Sequence, residues 1–212
     1  MKHFYFVGLK DLNKIWFMCY LGKLLTIKGK VNLITDYKLW EEEIQPFELC
    51  SKLDYTRRII KTDYEDYTFV LHDIEDYREL DVLDNATVIF MTSTQRQAVN
   101  YNKSLFYKIV IDLSEQVELN RYFIIYNIFL DSKINEKYIK YAYGEIMNSF
   151  DKHIIPFNEW DNMIHIENEY EEKIRLKYLS KQYKNVLNSI LIKEEIIDKK
   201  KIKKTYNLVE RG

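Results

Sequence analysis

Short apolar runs alternate along the chain with longer segments in which apolar residues recur with the period of one helix face. Residues 4–7 form the first run, which ends at Gly8. The apolar positions of the segment that follows have helical spacing: Leu12, Ile15, Trp16, Cys19 and Leu24. Gly29 is well placed as the C-cap of this helix, and residues 31–34 form a second apolar run. A strand, a helix and a second strand are therefore predicted, which together make a βαβ unit.

The same alternation continues toward the carboxyl end. Further strands are predicted over residues 67–73, 86–92, 122–126 and 153–155, and helices over residues 97–113 and about 135–150. An amphipathic helix follows, with Leu179, Tyr183, Val186 and Ile190 on its apolar face. Because no hairpin signal separates the strands, the pattern predicts an α/β fold, a doubly wound and mostly parallel sheet with helices on both faces. Residues 1–198 are predicted to form this single domain, and residues 199–212 a basic, flexible tail.

The composition is typical of a folded, soluble chain. Of the 212 residues, 47% are hydrophobic and 31% are charged, with only 5 Gly and 2 Pro. The formal net charge of -1 means that any binding of nucleic acid or anionic lipid would have to be local. Cys19 and Cys50 lack the spacing of metal ligands, and no apolar run approaches the ~20 residues that cross a bilayer. We therefore expect a cytoplasmic protein with reduced thiols.

The residues after the first strand share spacing with phosphate-binding loops. Ligands of open α/β sheets bind beyond the carboxyl ends of the strands. A phosphate-binding loop has the pattern G-x-x-x-x-G-K-[ST], in which backbone N–H groups and the lysine surround phosphate and the hydroxyl binds Mg²⁺. Gly8 and Lys14 have this spacing, and Asn13, which tolerates a left-handed backbone, occupies the second glycine position. Ile15, however, stands where the magnesium-binding hydroxyl is needed.

The same residues also fit a plain turn between a strand and a helix. Asp11 is a favoured N-cap residue, and within a phosphate loop its carboxylate would oppose the phosphates. Asp73, followed by Glu75 and Asp76, fits either a magnesium-binding cluster or a solvated acidic turn. Both interpretations stay open from the residues alone.

The order of these features resembles the MinD/ParA family of P-loop ATPases over nearly the whole chain. Residues 4–15 fall where that family has its deviant Walker A loop, and residues 155–158 are similar to its Ile-Pro-aromatic-Asp turn. The resemblance implies ATP or ADP with Mg²⁺ as cofactor, a homodimer as assembly, and a protein partner. It also implies roles for individual residues: Gly8, Lys10, Asn13 and Lys14 at the phosphates, Asn127 at the base, Asp36 in switch I, and Asp73 as the acid that binds Mg²⁺.

The departures from the family pattern concern its catalytic positions. The family's signature lysine is Leu9 here, its paired glycines are Lys10 and Asp11, and its tandem hydroxyls are Ile15 and Trp16. The signature lysine stabilises transition-state charge across a dimer that sandwiches the nucleotide, so its loss removes that contribution. Lys10, one position away, is the nearest substitute. Retention of the fold with decay of the site is the favoured hypothesis, because activity does not transfer with a fold.

Three functions follow as hypotheses. The first is an interaction or scaffold protein of a partition, secretion, pilus or conjugation system, with weak or absent nucleotide binding. The second is a slow ATPase completed by dimerisation, in which Lys14 contacts phosphate, Asp36 orients water and Asp73 binds Mg²⁺. The third is non-specific DNA binding through a dimer and the basic run from Lys199 to Lys204, recognisable by a steep salt dependence. A solvated charged end is the simpler interpretation of that run.

Overall fold

Eight strands form one sheet in a computed structural model that describes residues 1–38, 47–57, 65–76, 78, 86–114, 120–126, 133 and 135–210. The strands are β1 (Lys2–Val7), β2 (Val31–Thr35), β3 (Phe47–Cys50), β4 (Leu53–Arg57), β5 (Phe69–Ile74), β6 (Ala86–Ser93), β7 (Asn120–Tyr126) and β8 (Asp151–Ile155). Their order is β3-β4-β2-β5-β1-β6-β7-β8, and every neighbouring pair is parallel except β3 and β4. The predicted doubly wound, mostly parallel α/β sheet is confirmed.

Helices cover both faces of this sheet. They are α1 (Leu12–Leu25), α2 (Arg96–Ser114), α3 (Glu136–Tyr143), α4 (Glu159–Tyr170), α5 (Lys181–Lys193) and α6 (Ile202–Val209). The cores of the two faces are separate: α1, α4, α5 and α6 pack over Phe4 and Phe6, whereas α2 and α3 pack over Tyr5 and Val7. Because side chains alternate between faces along a strand, β1 is buried on both sides, which accounts for its unbroken apolar run.

The first helix ends earlier than the sequence predicts. α1 stops at Leu25, and its C-cap is Thr26 in a right-handed conformation. Gly29 lies instead at a close approach of two segments, where an added Cβ would be 2.0 Å from Oγ1 of Thr68. The prediction of a C-cap at Gly29 is wrong. A glycine is needed there because Thr68, the residue before β5, leaves no space for a side chain.

A glycine divides the helix predicted over residues 135–150. α3 ends at Tyr143, Gly144 has a φ of 68°, and a separate 3-10 helix covers Glu145–Ser149. A left-handed residue ends a right-handed helix, so the prediction of one long helix is wrong. The break leaves both Tyr143 and Met147 buried in the core beneath α2.

A hairpin at the edge of the sheet carries no clear signal in the sequence. β3 and β4 pair antiparallel across a turn at Ser51 and Lys52, and Lys52 has a φ of 65°. Such left-handed turn positions usually hold Gly, Asn or Asp, so Ser-Lys does not identify a hairpin. The structure corrects the expectation of a sheet without hairpins.

The end of the chain is helical where the sequence predicts a flexible tail. Lys199–Lys201 form a 3-10 turn, and α6 follows with Thr205 and Val209 buried. The backbone N–H of Leu176 donates to the carboxylate of Glu210, which also fixes this end. Within the described ranges, no helix is long and apolar enough to cross a membrane.

Candidate functional site

The carboxyl end of β1 lies where the winding of the sheet reverses. From β1 the chain passes through α1 on one face to β2, whereas from β6 it passes through α2 on the other face to β7. Open α/β sheets bind ligands in the crevice at such a reversal. Gly8 and the first turn of α1 therefore occupy the position at which a ligand is expected.

The side chain of Lys14 is held in a buried ion pair at this position. Its Nζ lies 2.6 Å from Oδ1 of Asp73 and donates to the carbonyl oxygen of Gly8 at 2.5 Å. The other carboxylate oxygen of Asp73 accepts a 2.6 Å hydrogen bond from Oγ1 of Thr35. Lys14 and Asp73 are each 1% exposed. The positive charge of Lys14 is thus balanced inside the protein by Asp73, the acid to which the family resemblance assigns Mg²⁺.

The amino end of α1 is capped by Asp11. Its Oδ1 accepts hydrogen bonds from the backbone N of Asn13 at 2.7 Å and from Nδ2 of Asn13 at 2.9 Å. α1 begins at Leu12, so Asn13 is helical and does not adopt the left-handed backbone that Asn tolerates. The predicted N-cap at Asp11 is confirmed. Asp11 thereby occupies the place at a helix N-terminus where a phosphate would bind.

The turn between β1 and α1 is held tightly against β6. Gly8 has a φ of 149°, and an added Cβ would lie 2.3 Å from the carbonyl oxygen of Met91. The backbone N–H of Leu9 donates to Oδ1 of Asn102 at 2.6 Å. Nδ2 of Asn102 in turn donates to the Met91 carbonyl at 3.1 Å and to Oγ1 of Thr92 at 3.2 Å. The Leu9 N–H, which a phosphate loop would direct at its ligand, is therefore used by α2.

These contacts leave little room for phosphate. The cavity between Asn13, Lys14 and the end of β6 measures about 10 Å³, which is about the space of one water molecule. Ile15 is fully buried and offers no oxygen to Mg²⁺. Among the described residues, no three His, Cys, Asp or Glu side chains are placed to share a metal ion. As arranged, the residues do not fit a magnesium triphosphate.

A larger cavity of about 200 Å³ lies beyond the ends of β7 and β8. Its wall includes Tyr126 and Tyr183, whose hydroxyls lie 2.5 Å apart, and the start of α4, where Asn158 caps the helix. His165 also lines it, and Nε2 of His165 is buried without a hydrogen-bond partner in the part of the chain that the structure describes. Asp11 and Asp161 also line the cavity, so its wall combines aromatic rings, hydrogen-bonding groups and two carboxylates.

Burial keeps His165, Tyr126 and Tyr183 uncharged near neutral pH. It lowers the pKa of His165 to about 4, because the imidazole lies among the rings of Trp16, Tyr20 and Tyr183. Burial likewise raises the pKa of Tyr126 and of Tyr183 well above the usual value.

We expect the free energy of unfolding to fall as the pH drops from about 6.5 to about 4. His165 takes up a proton in the unfolded chain at a higher pH than in the folded protein, so its contribution is complete above about pH 6.5. The loss reaches about 3 kcal/mol by pH 4, from the shift in the pKa of His165. Urea unfolding across this range measures it. A His165→Gln variant should show a much shallower slope; an unchanged slope would assign the effect to other groups, such as His3 and His153, whose pKa values burial also lowers.

The remaining predicted residues are only partly brought together. Lys10 is exposed, and its Nζ lies 6.0 Å from the ring centroid of Tyr37. Asp36 is exposed directly beyond the end of β2. Asn127 lies outside the described residues. The sequence interpretation misses Thr35, Asn102 and His165, because their partners are distant in the chain and no spacing identifies them.

Comparisons with solved structures identify the fold. No family model matches the chain, and no curated protein matches its sequence. A ParA family ATPase from Chlorobium tepidum TLS matches with a TM-score of 0.61 and 14% identity, over 90% of this chain and 97% of that one. A plasmid partition protein from Borrelia burgdorferi B31, bound to AMPPNP, matches with a TM-score of 0.58 and 18% identity, over 91% of this chain and 98% of that one. The MinD cell division protein of Aquifex aeolicus matches with a TM-score of 0.55 and 11% identity, over 90% of this chain and 97% of that one. The chain has the ParA/MinD fold, as its sequence predicts.

Proposed function

We propose that this chain is a protein-interaction component, a scaffold or regulatory subunit, with nucleotide binding that is weak or absent. It would serve a partition, secretion, pilus or conjugation system. This choice is supported by the resemblance to the MinD/ParA family and by the shared fold. The protein keeps the sheet of a nucleotide-dependent switch, while its phosphate site is closed by its own side chains.

The observation that carries this proposal is the placement of two carboxylates where phosphates would lie. Asp73 neutralises Lys14 at 2.6 Å, and Asp11 accepts the N–H groups of Asn13 at the start of α1. A triphosphate entering the site would have to displace one carboxylate and lie beside the other. Bringing like charges together in a buried site costs several kcal/mol unless a cation offsets it. With Ile15 in place of a hydroxyl, the chain supplies little to bind that cation.

The rival hypotheses make demands on different residues. A dimerisation-dependent ATPase requires Asp73 to leave Lys14 for Mg²⁺, and Asp36 to orient water. DNA binding requires the basic run from Lys199 to Lys204, whose lysines are exposed around the start of α6. The ion pair of Lys14 with Asp73 opposes the first demand. Exposed lysines are equally typical of a solvated charged end, so the second demand does not favour DNA binding, and the interaction protein remains the proposal.

Titration with ATP and ADP, with and without Mg²⁺, tests the proposal. Calorimetry should detect no binding in the micromolar range, and millimolar nucleotide should raise the free energy of unfolding by less than about 0.5 kcal/mol. A ligand present at 100 times its Kd would raise it by about 2.7 kcal/mol. Micromolar, magnesium-dependent binding would overturn the proposal and make hydrolysis the next measurement.

An Asp11→Ser variant separates a closed site from a working one. Serine keeps the N-cap of α1 but removes the negative charge at the phosphate position. If the carboxylate excludes phosphate, the variant should bind nucleotide more tightly than the native chain. If the site is a working ATPase in which Asp11 takes part, the variant should bind or turn over nucleotide less well. Asp198→Ser, which changes the acid that caps the 3-10 turn before α6, serves as the matched control.

A further inference from the structure

Helix α4 has apolar side chains on two opposite faces. Its inner face is buried, with Ile164 in the core and His165 stacked on Trp16 at a ring-centroid distance of 5.8 Å. Its outer face carries four large apolar side chains that are 40–91% exposed: Trp160, Met163, Ile166 and Tyr170. At 100° per residue, the last three lie within about 60° of one another on the helix surface, opposite the buried face. We call these four residues the α4 ridge.

Such a ridge is unusual on a helix that already has a buried face. The outer face of a surface helix is normally polar, and contiguous exposed apolar groups mark interaction sites. Trp and Tyr are also the residues that most often dominate the energetics of protein interfaces. The inner face of α4 is anchored by Asp161, which accepts hydrogen bonds from Ser180 N at 2.6 Å and Ser180 Oγ at 2.7 Å. The ridge is therefore presented on a helix that is fixed in place.

The border of the ridge is strongly acidic. Five exposed glutamates lie on α4 and in the turn after it: Glu159, Glu167, Glu169, Glu171 and Glu172. Glu171 is paired with Lys173 and Arg175. Glu167 and Glu169 form no ion pair within the described residues. The local charge is thus negative, although the net charge of the whole chain is only -1.

We propose that the α4 ridge binds a basic amphipathic segment of a partner protein. Apolar side chains of that segment would cover Trp160, Met163 and Ile166, and its Lys or Arg residues would face the bordering glutamates. An anionic membrane or a nucleic acid is disfavoured, because both have the same sign of charge as the border. This inference rests on the proposed function as an interaction protein and names the chemistry of the partner.

Peptides of defined pattern test the chemistry of the ridge. The probe is a fluorescein-labelled helical peptide of about 18 residues, built from Leu and Lys in amphipathic order. One control peptide has the same composition in scrambled order, and a second has Glu in place of Lys. Fluorescence anisotropy should detect binding of the first peptide and much weaker binding of both controls. Equal binding of all three, or preference for the Glu peptide, would overturn the proposal.

Variants of the chain then locate the binding. Trp160→Ala and Ile166→Ala should each lower the affinity for the Leu/Lys peptide by about tenfold or more, as truncation of central interface residues does. Glu167→Lys combined with Glu169→Lys should lower the affinity for this peptide by about tenfold and make that affinity less dependent on salt concentration. Tyr141→Ala, which removes an 86% exposed aromatic ring from α3, should leave binding unchanged. Thermal unfolding of each variant confirms that the fold is retained.

Three outcomes decide the identity of the occupant. Peptide binding that survives Trp160→Ala and Ile166→Ala would place the partner elsewhere and refute the ridge. A dimer in sedimentation experiments that Ile166→Glu dissociates would show that a second copy of the chain, not a basic partner, covers the ridge. Tight nucleotide binding with retained peptide binding would overturn the function proposed above and leave the ridge intact, so the two proposals fail separately.

Discussion

Replacement of Lys14 by methionine is expected to lower the free energy of unfolding by about 3–5 kcal/mol. Methionine has a similar length but leaves Asp73, which is 1% exposed, as a buried carboxylate without its cation. Removal of one partner of a buried ion pair has this large effect because the remaining charge is uncompensated. The hydrogen bond to the Gly8 carbonyl is lost as well. Urea unfolding at neutral pH measures the difference.

A double-mutant cycle shows whether the pair itself is responsible. Asp73→Asn removes the charge but keeps an oxygen that can accept from Oγ1 of Thr35. The double variant Lys14→Met with Asp73→Asn should be more stable than the sum of the single effects predicts, by about 1–3 kcal/mol. Lys10→Met, a change of an exposed lysine in the same turn, should cost less than about 0.5 kcal/mol.

The result for Lys14 bears on function as well as on stability. A lysine kept for phosphate contributes to ligand binding, and its loss affects turnover more than folding. A loss of less than about 1 kcal/mol for Lys14→Met would show that the ion pair is weak and that the site opens readily. It would then favour the ATPase hypothesis, in which Asp73 is available to Mg²⁺. A large loss supports a lysine that has become part of the core.

Much of the fold is predictable because its central strands are buried on both faces. Such strands contain consecutive apolar residues, so β1, β5, β6 and β7 are all identifiable to within a few residues. Their carboxyl ends meet at one edge of the sheet, which correctly places Gly8 and Asp73 together. The hairpin of β3 and β4 lies at the sheet edge, where the apolar pattern is short and the turn residues are ordinary.

Helix α4 shows why periodicity fails for some elements. A helix is recognised when one face is apolar and the other polar. Ile164 on the inner face and Ile166 on the outer face lie two positions apart, and Met163 adds to the outer face, so no single period emerges. The feature that hides the helix in the sequence is the ridge that we propose as a docking surface.

The sequence predicts only some of the features that close the candidate site. Departures from a phosphate-binding pattern at Asp11 and Ile15 indicate a weakened site, and Asp11 is recognisable as an N-cap. The contacts that close it join residues far apart in the chain: Lys14 with Asp73, and Leu9 with Asn102. Such pairings depend on the register of β1 against β5 and β6, which no local pattern specifies.

Replacement of Glu194 by alanine is expected to lower the free energy of unfolding by roughly 3 kcal/mol. The side chain is fully buried at the end of the sheet opposite the candidate site. Its carboxylate accepts four hydrogen bonds, from Lys2 Nζ at 2.5 Å, Tyr122 Oη at 2.7 Å, Thr87 Oγ1 at 2.9 Å and Asn120 Nδ2 at 3.2 Å. One acid thus connects the end of α5 to β1, β6 and β7. Alanine would leave these donors without their common acceptor.

Two variants separate the charge of Glu194 from its role as acceptor. Glu194→Gln keeps one carbonyl oxygen and should cost about half as much as Glu194→Ala, because Lys2 is 28% exposed and can turn to water. Glu136→Ala breaks an exposed ion pair with Lys140 on α3 and should cost about 0.5 kcal/mol or less. If Glu194→Ala cost no more than Glu136→Ala, the cluster would be no stronger than a surface pair. The amino ends of β1, β6 and β7 would then be held by apolar packing alone.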